Sequence, residues 1–110
     1  MSSKFEIFQS EKSQEYYFRL KAENGQIILQ SEGYTTKANC KNGVASVKKN
    51  APHAHAYTTT ETHFNLKSLD NGQVIGSSQH YASASSRDHG IASVQRNAPI
   101  AEVIDLTVKA

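Results

Sequence analysis

Histidines, a single cysteine and a scatter of lysines and tyrosines are the chemistry-bearing side chains of this 110-residue chain. His53 and His55 stand two apart, so on a strand both imidazoles project from one face, and His63 can lie opposite them. Three imidazoles suit zinc, but a zinc site needs its full ligand set in tetrahedral reach. No cysteine or carboxylate is fixed beside these histidines at a ligand spacing, and His80 and His89 stand alone. No metal and no cofactor is therefore expected. No glycine-rich phosphate loop is present either.

Two sets of basic residues invite a nucleic-acid reading. Lys37, Lys41 and Lys48 fall in a narrow stripe at helical periodicity. Tyr17, Arg19 and Lys21 share one side of an alternating strand, and the pairing set out below adds Phe8 and Ile28, with His63, Asn65, Lys67 and Ile75 from further along. Aromatic and basic groups on an open sheet are how several modules stack single-stranded bases. Against this, the net charge is only +2, divided as eight Lys/Arg against five acids in residues 1–52 and four against five in residues 53–110. Affinity for phosphate backbones scales with the charges neutralised. At most weak, non-specific oligonucleotide binding is expected.

The elements that carry these groups come from a duplication. Residues 18–52 and 64–99 align with nearly half of their positions identical and one extra residue before the second Asn-Gly. Shared landmarks are Phe18 and Phe64, Asn24-Gly25 and Asn71-Gly72, Tyr34 and Tyr81, Gly43 and Gly90, and the closing Asn50-Ala51-Pro52 and Asn97-Ala98-Pro99. Two copies are too few for a solenoid. A half of this size has little core of its own. One domain over 1–110 is expected, with repeat one at 4–57, repeat two at 58–108 and a pseudo-twofold axis between them, and with the chain monomeric. No serine recurs in both copies beside a histidine and an acid, as a hydrolytic triad requires. Cys40 aligns with Arg87, which places it at a rim.

Within each copy the pattern changes from strand to helix. Residues 5–8 and 16–22 alternate as half-buried strands. Asn24-Gly25 reads as a two-residue type I′ turn, which pairs Leu20 with Leu29, Arg19 with Gln30 and Ala22 with Ile27. In copy two a three-residue loop, Asp70-Asn71-Gly72, with Gly72 left-handed, keeps the same faces together. Thr36 and Ser83 suit helix N-caps. Gly43 and Gly90 lie inside helices, where glycine costs about 1 kcal/mol relative to alanine, which implies close approach of another backbone. Asn50 and Asn97 suit a left-handed helix end, and the prolines stop each helix. Ile104, Leu106 and Val108 alternate with Val103, Asp105 and Thr107 as a last strand.

With these motifs in place the chain resembles the YegP-like family, small uncharacterised bacterial proteins. The resemblance rests on Phe64, Asn65, Leu66 and Lys67, on Ile75 to Gln79, on Gly90 to Val94, and on first-copy Leu20 to Ala22, Tyr34 to Lys37 and Gly43 to Val47. It implies an α+β fold: tandem β-β-β-α-β units forming one antiparallel sheet, two helices on one face, and final strands exchanged between units. The chain departs from the family pattern between Tyr57 and Phe64, where the hairpin opening copy two is several residues shorter. The resemblance carries over no catalytic or binding residues.

The one cysteine permits no intrachain disulfide, so a reducing compartment, the cytoplasm, is expected. Nothing approaches the ~18 apolar residues of a membrane span, and the first residues lack a signal-like apolar run. The sequence thus points to a non-enzymatic binding or interaction module of unspecified ligand. Single-stranded nucleic-acid binding through the open face is the alternative, and a small-molecule enzyme comes third.

Overall fold

The computed structural model describes residues 2–107. Its elements run β1 (Lys4–Gln9), β2 (Tyr16–Lys21), β3 (Ile27–Gln30), α1 (Lys37–Asn50), β4 (Tyr57–Thr59), β5 (Phe64–Lys67), β6 (Val74–Ser77), α2 (Ala84–Asn97) and β7 (Glu102–Asp105). The strands form one seven-stranded sheet in the order β4-β5-β6-β3-β2-β1-β7. All pairings are antiparallel except β1 with β7, which is parallel, so the sheet is mixed.

Alternation decides which face of each strand is buried. Phe5, Ile7, Phe18 and Leu20 of copy one are fully buried, as are Phe64 and Leu66 of copy two. Burying a side chain of this size is worth roughly 1.5–3 kcal/mol. The helices supply Cys40, Val44, Val47 and Val94 to the same core. Thr36 and Ser83 cap them as expected, accepting from the amides of Asn39 and Ser86.

The sheet halves join at β3 and β6, with Gln30 opposite Ser77 as the one registered pair. That narrow ladder is reinforced from above. Helix α1 touches β5 and β6 of the other half as well as β1 and β2, and α2 touches β3. The exchange of final strands also holds: β7, after α2, pairs with β1, and β4, after α1, pairs with β5. Segment β4 serves as both the end of copy one and the opening strand of copy two. Its Tyr57, Thr58 and Thr59 face Leu66, Asn65 and Phe64, as Phe5, Glu6 and Ile7 face Leu20, Arg19 and Phe18. The short linker therefore leaves copy two without a counterpart of β7.

Several local expectations need correction. The first hairpin is not a two-residue type I′ turn: among the described residues only Gly25 there has a positive φ, +86°. Ala22 N–H donates to Gln26 and Gly25 N–H to Ala22, which closes a three-residue loop, residues 23–25. The second loop is likewise one residue longer than expected, residues 69–72, with Gly72 at φ +73°. Each hairpin absorbs the difference in a bulge, so that Leu20 faces Leu29 as expected but Lys21, not Ala22, faces Ile27. As a result Ile28 and Ile75 are only 5% and 9% exposed instead of lying open. The helices do not end on left-handed asparagines. Ala51 and Ala98, which follow Asn50 and Asn97, are right-handed, and a short 3-10 turn follows at Ala54–Ala56 and at Ala98–Ile100. Strand β7 stops at Asp105, Leu106 and Thr107 form a turn, and Val108 lies outside the described residues.

Gly43 and Gly90 are close-packed, but against side chains and not against backbone. A Cβ on Gly43 would sit 2.9 Å from both Tyr34 Cζ and Phe18 Cε2. One on Gly90 would sit 2.7 Å from Tyr81 Cζ and 3.1 Å from Phe64 Cε2. Each tyrosine ring lies over its phenylalanine, with centroids 6.2 and 6.3 Å apart, and each hydroxyl reaches the helix at the glycine. Burial pushes both tyrosine pKa values up.

Candidate functional site

The open face does gather the expected aromatic and basic residues of copy one, but they satisfy one another. Glu6 on β1 lies opposite Arg19 and is 7% exposed. It accepts from Arg19 Nε at 2.8 Å and lies 3.1 Å from Lys21 Nζ. Burial alone would raise the Glu6 pKa, but the two cations outweigh it and hold the carboxyl below its ordinary value. Phe8 and Tyr17 stack on each other with centroids 5.7 Å apart, and the Arg19 guanidinium covers Phe8 at 4.6 Å. A nucleobase would have to displace these contacts. In copy two Asn65 accepts from Ser77 Oγ, and Lys67 makes no ion pair among the described residues.

The lysine stripe of α1 faces β7 over much of its length. Lys37 Nζ lies 3.1 Å from Asp105 Oδ2 and Lys48 Nζ donates to the Ala101 carbonyl at 2.6 Å. Only Lys41 has no such partner among the described residues; it borders a shallow groove with Val44, Ala45, Lys48 and Val103. Thr107 hydrogen bonds are the chief cause that lowers the Asp105 pKa to about 2, with Lys37 adding to them against a partial burial penalty. The stripe is therefore a clamp for the exchanged strand.

The histidines form two pairs and no trio. His53 precedes the 3-10 turn Ala54–Ala56 and His55 lies within it, so neither is on a strand, and their rings are 5.7 Å apart. His63 lies against His80, at 4.9 Å, so His80 is not alone. Their Nδ1 atoms are engaged by Thr60 and Thr62. Among the described residues no group of three His, Cys, Asp or Glu is placed to hold a metal ion. Cys40, expected at a rim, is fully buried, and burial, with Asp105 nearby, pushes its thiol up to about 11. The alignment with Arg87 misled because a long side chain can begin beside the core and end at polar partners; the Arg87 guanidinium reaches the Thr60 carbonyl and Asp88.

A site that sequence reasoning missed lies where each helix end meets the hairpin of the other copy. Asn50 and Asn97 end the two helices and are each 2% exposed. Both donate Nδ2–H back to the carbonyl four residues earlier, Ser46 or Ser93, at 2.8 Å, and to that serine's Oγ. The remaining oxygen distinguishes them. Asn50 Oδ1 accepts from the Leu69 amide at 3.0 Å, and the next residue, Asp70, pairs with Lys49 at 3.0 Å. Asn97 Oδ1 is buried with no partner among the described residues.

The cause is one missing residue. Ser68 N–H donates to Gln73 across a four-residue loop, whereas Ala22 N–H donates to Gln26 across three. Copy one therefore has no amide in the position of Leu69. Instead Ala22, Glu23, Asn24, Ser93, Arg96 and Asn97 line a groove of ≈ 260 Å³. Arg96, the counterpart of Lys49, makes no ion pair among the described residues. The signal in the sequence was the extra residue before Asn71-Gly72, which bears on register and equally on Asn97.

Comparison with known proteins agrees with the duplication. Residues 11–57 and 59–105 each match a domain of unknown function (DUF1508). A "UPF0339 protein in ptx operon 5'region" of Stutzerimonas stutzeri is 52% identical over 73 residues, 62% of this chain and 65% of that protein, so the chain spans somewhat under two thirds of that relative. The UPF0339 protein YegP of Yersinia pestis is 47% identical over 62 residues, 52% of this chain and 55% of that one. The solution NMR structure of E. coli yegP, a protein of unknown function, superimposes with a TM-score of 0.88 at 43% identity, covering 96% of this chain and 94% of that one. A UPF0339 protein of Shewanella oneidensis gives the same TM-score at 40% identity, covering 96% and 92%. No helix among the described residues is long and apolar enough to cross a membrane.

Proposed function

The chain belongs to the family built on the domain of unknown function DUF1508, and from that premise we propose that it is a non-enzymatic binding module whose seat is the groove between the first hairpin and the end of α2. One observation carries this reading: Asn97 Oδ1 is buried without a partner while its twin, Asn50 Oδ1, is satisfied. A buried acceptor left unpaired costs about 1–3 kcal/mol, and native proteins pair nearly all such atoms. A donor that reached this oxygen would remove that cost, once the groups that now cover it moved aside. At ≈ 260 Å³ the groove suits a small group or a short segment. Its lining includes Glu23 and Arg96, and Ser93 Oγ accepts from Asn97 with no hydrogen bond to a basic group among the described residues. That inventory fits recognition and lacks an activated nucleophile.

The oligonucleotide reading is less favoured, because Arg19 and Lys21 serve Glu6 while Lys37 and Lys48 hold β7, which leaves Lys41 and Lys67 without ion pairs among the described residues. The binding reading is tested by adding the low-mass fraction of a cell extract to ¹⁵N-labelled protein. Shifts confined to the Asn97 side-chain amide, Arg96 and residues 22–25 are expected. No response there, or a response centred on Tyr17 and Lys67, overturns it.

A further inference from the structure

The two edges of the sheet are equivalent by the duplication and unequal in cover. Ile7 of β1 lies opposite Phe18, and Thr59 of β4 lies opposite Phe64. Both phenylalanines direct their backbone groups to the next strand inward. Each N–H donates to a serine Oγ, Ser31 or Ser78, and each carbonyl accepts from the same serine's N–H. Alternation in an antiparallel ladder then turns the N–H and carbonyl of Ile7 and of Thr59 outward. Outside Ile7 stands β7, parallel to β1, and the Leu106 N–H donates to the Ile7 carbonyl at 2.8 Å. Outside Thr59 the sheet ends, and residues 58–60 are exposed.

Helix α2 keeps much of what α1 uses to seat β7. Val44 is 3% exposed where Val103 of β7 lines the same groove, while its counterpart Ile91 is only partly buried. Lys48 donates to the Ala101 carbonyl, and Gln95 keeps an amide donor at the matching place. The cation has moved by one turn. Asp105, opposite Ile7, pairs with Lys37 and lies close to Cys40. At those two positions α2 has Ala84 and Arg87. The Arg87 guanidinium sits at the carbonyl of Thr60, the residue after β4, and three of its five N–H groups go to Thr60 and Asp88. Residues 57–60 bring neither charge nor proline to their edge, the usual defences against strand addition, whereas β7 carries Glu102 and Asp105.

We infer that the outer edge of β4 receives an extended segment of another protein, added parallel to β4, with an aliphatic residue over Ile91 and an acid two positions later at Arg87. Backbone pairing supplies the affinity and alternate side chains the selectivity. The direction follows from β7, whose layout of partners α2 repeats. A guanidinium with free N–H groups suits a carboxylate where Asp105 has its counterpart. A second copy of the chain fits less well. Two β4 edges meeting across a twofold axis run antiparallel, and β7 of each copy is already held on its own β1.

The probe is acetyl-Ala-Glu-Val-Ile-Asp-Leu-Thr-amide, which copies residues 101–107, titrated into the full ¹⁵N-labelled chain. Saturable shifts are expected at residues 58–60, Ile91 and the Arg87 side chain, with β1 and β7 unmoved. Asparagine in place of the peptide's aspartate should weaken binding roughly tenfold, as loss of a charged hydrogen bond implies. Arg87→Gln should lose the same factor for the acidic peptide and leave the asparagine peptide unchanged, which separates recognition from damage to the fold. Thr59→Pro should abolish binding of both peptides while the native spectrum persists, because the proline removes only an outward N–H. Equal binding of the two peptides to the parent chain would overturn the acid at Arg87. Shifts centred on β1 and β7 would mean that the peptide displaces β7 from its own seat, and shifts centred on residues 22–25 would place it at the end of α2; either overturns the proposal. So does concentration-dependent broadening at residues 58–60 without peptide, which identifies a second copy as the occupant. Silence at β4 through the millimolar range overturns it outright.

Discussion

Two pairs of equivalent places behave in opposite ways. The tyrosine seats, Tyr34 over Phe18 at Gly43 and Tyr81 over Phe64 at Gly90, agree in ring spacing to within 0.1 Å, at 6.2 and 6.3 Å. The asparagine corners share the same helix-end geometry, with Nδ2 at 2.8 Å from a serine carbonyl in both, yet one is closed by a neighbouring loop and the other is not. The seats are packing, and packing tolerates little change in volume. The corners are loops against a helix end, where one residue more or less is accommodated by a bulge. The duplication therefore holds its halves alike where the core is made and lets them differ at the surface where a ligand could be received.

The strongest way to break this comparison is to disturb both seats. Gly43→Leu and Gly90→Leu should each destabilise by about 1–3 kcal/mol or more through overpacking, although leucine is the better helix former. Urea unfolding should show a lowered midpoint for both. Gly→Ala at the same positions should also lose stability, since Cβ itself meets the ring. If one half tolerated leucine and the other did not, the seats would not be equivalent.

Much of this fold could be read from residues. Alternation located β1 and β2, Thr36 and Ser83 marked the helix starts, the repeated landmarks showed two units, and the family resemblance implied that their final strands exchange. What could not be read had physical causes. Asn-Gly fits both a two-residue turn and a longer loop, because asparagine tolerates the second positive φ that a type I′ turn needs but does not require it, and the longer loop needs positive φ at the glycine alone. Cys40 looked like a rim position because alignment compares Cα positions, not where a side chain ends. Asn97 was invisible because an unpaired oxygen reflects a backbone amide that a loop far along the chain lacks. No residue type announces that.

The corners yield a subtler test. Asn50→Ala and Asn97→Ala both delete the Nδ2 hydrogen bonds to serine, but only Asn50→Ala also orphans the Leu69 amide. Asn97→Ala instead removes a buried oxygen without a partner. The first should cost about 1 kcal/mol more than the second, read as the difference in unfolding free energy in the absence of added ligand. Equal costs would mean that the two corners are equally satisfied.

The two ends of the sheet differ as well, because only β1 carries a parallel strand beyond it. Asp105 on that strand has its pKa lowered to about 2, first by Thr107 and then by Lys37. A depressed carboxylate pKa contributes stability that is present above the unfolded value and is lost as pH falls through the folded one. Amide exchange in β7 should therefore accelerate between the ordinary carboxylate range, near pH 4, and about pH 2, relative to β4, and Asp105→Asn should remove that step. Identical acid profiles for the two edges would show that the carboxylate does not fasten β7.

The smallest effect is expected from the helix surfaces. Helix α1 carries Lys37, Lys41 and Lys48 where α2 carries Ala84, Asp88 and Gln95. If α1 were a nucleic-acid surface, this difference would dominate binding. Yet Lys37 and Lys48 are held by Asp105 and the Ala101 carbonyl, and replacing either with glutamate would set like charges together or strip β7 of its tether. Lys41→Glu is the clean probe, since Lys41 makes neither contact. Labelled oligonucleotides should bind the parent chain no tighter than the non-specific range of roughly 10⁻⁴–10⁻⁶ M, with affinity falling as salt rises. Lys41→Glu should weaken that by a few-fold at low salt and by nothing measurable at physiological salt, where charges beyond about 8 Å are screened. Tyr17→Ala should change it no more, because the Tyr17 ring already stacks on Phe8. Sub-micromolar binding abolished by Tyr17→Ala and indifferent to Lys41 would mean that the stacked pair opens to admit bases. The open face, and not the asparagine corner, would then be where this protein works.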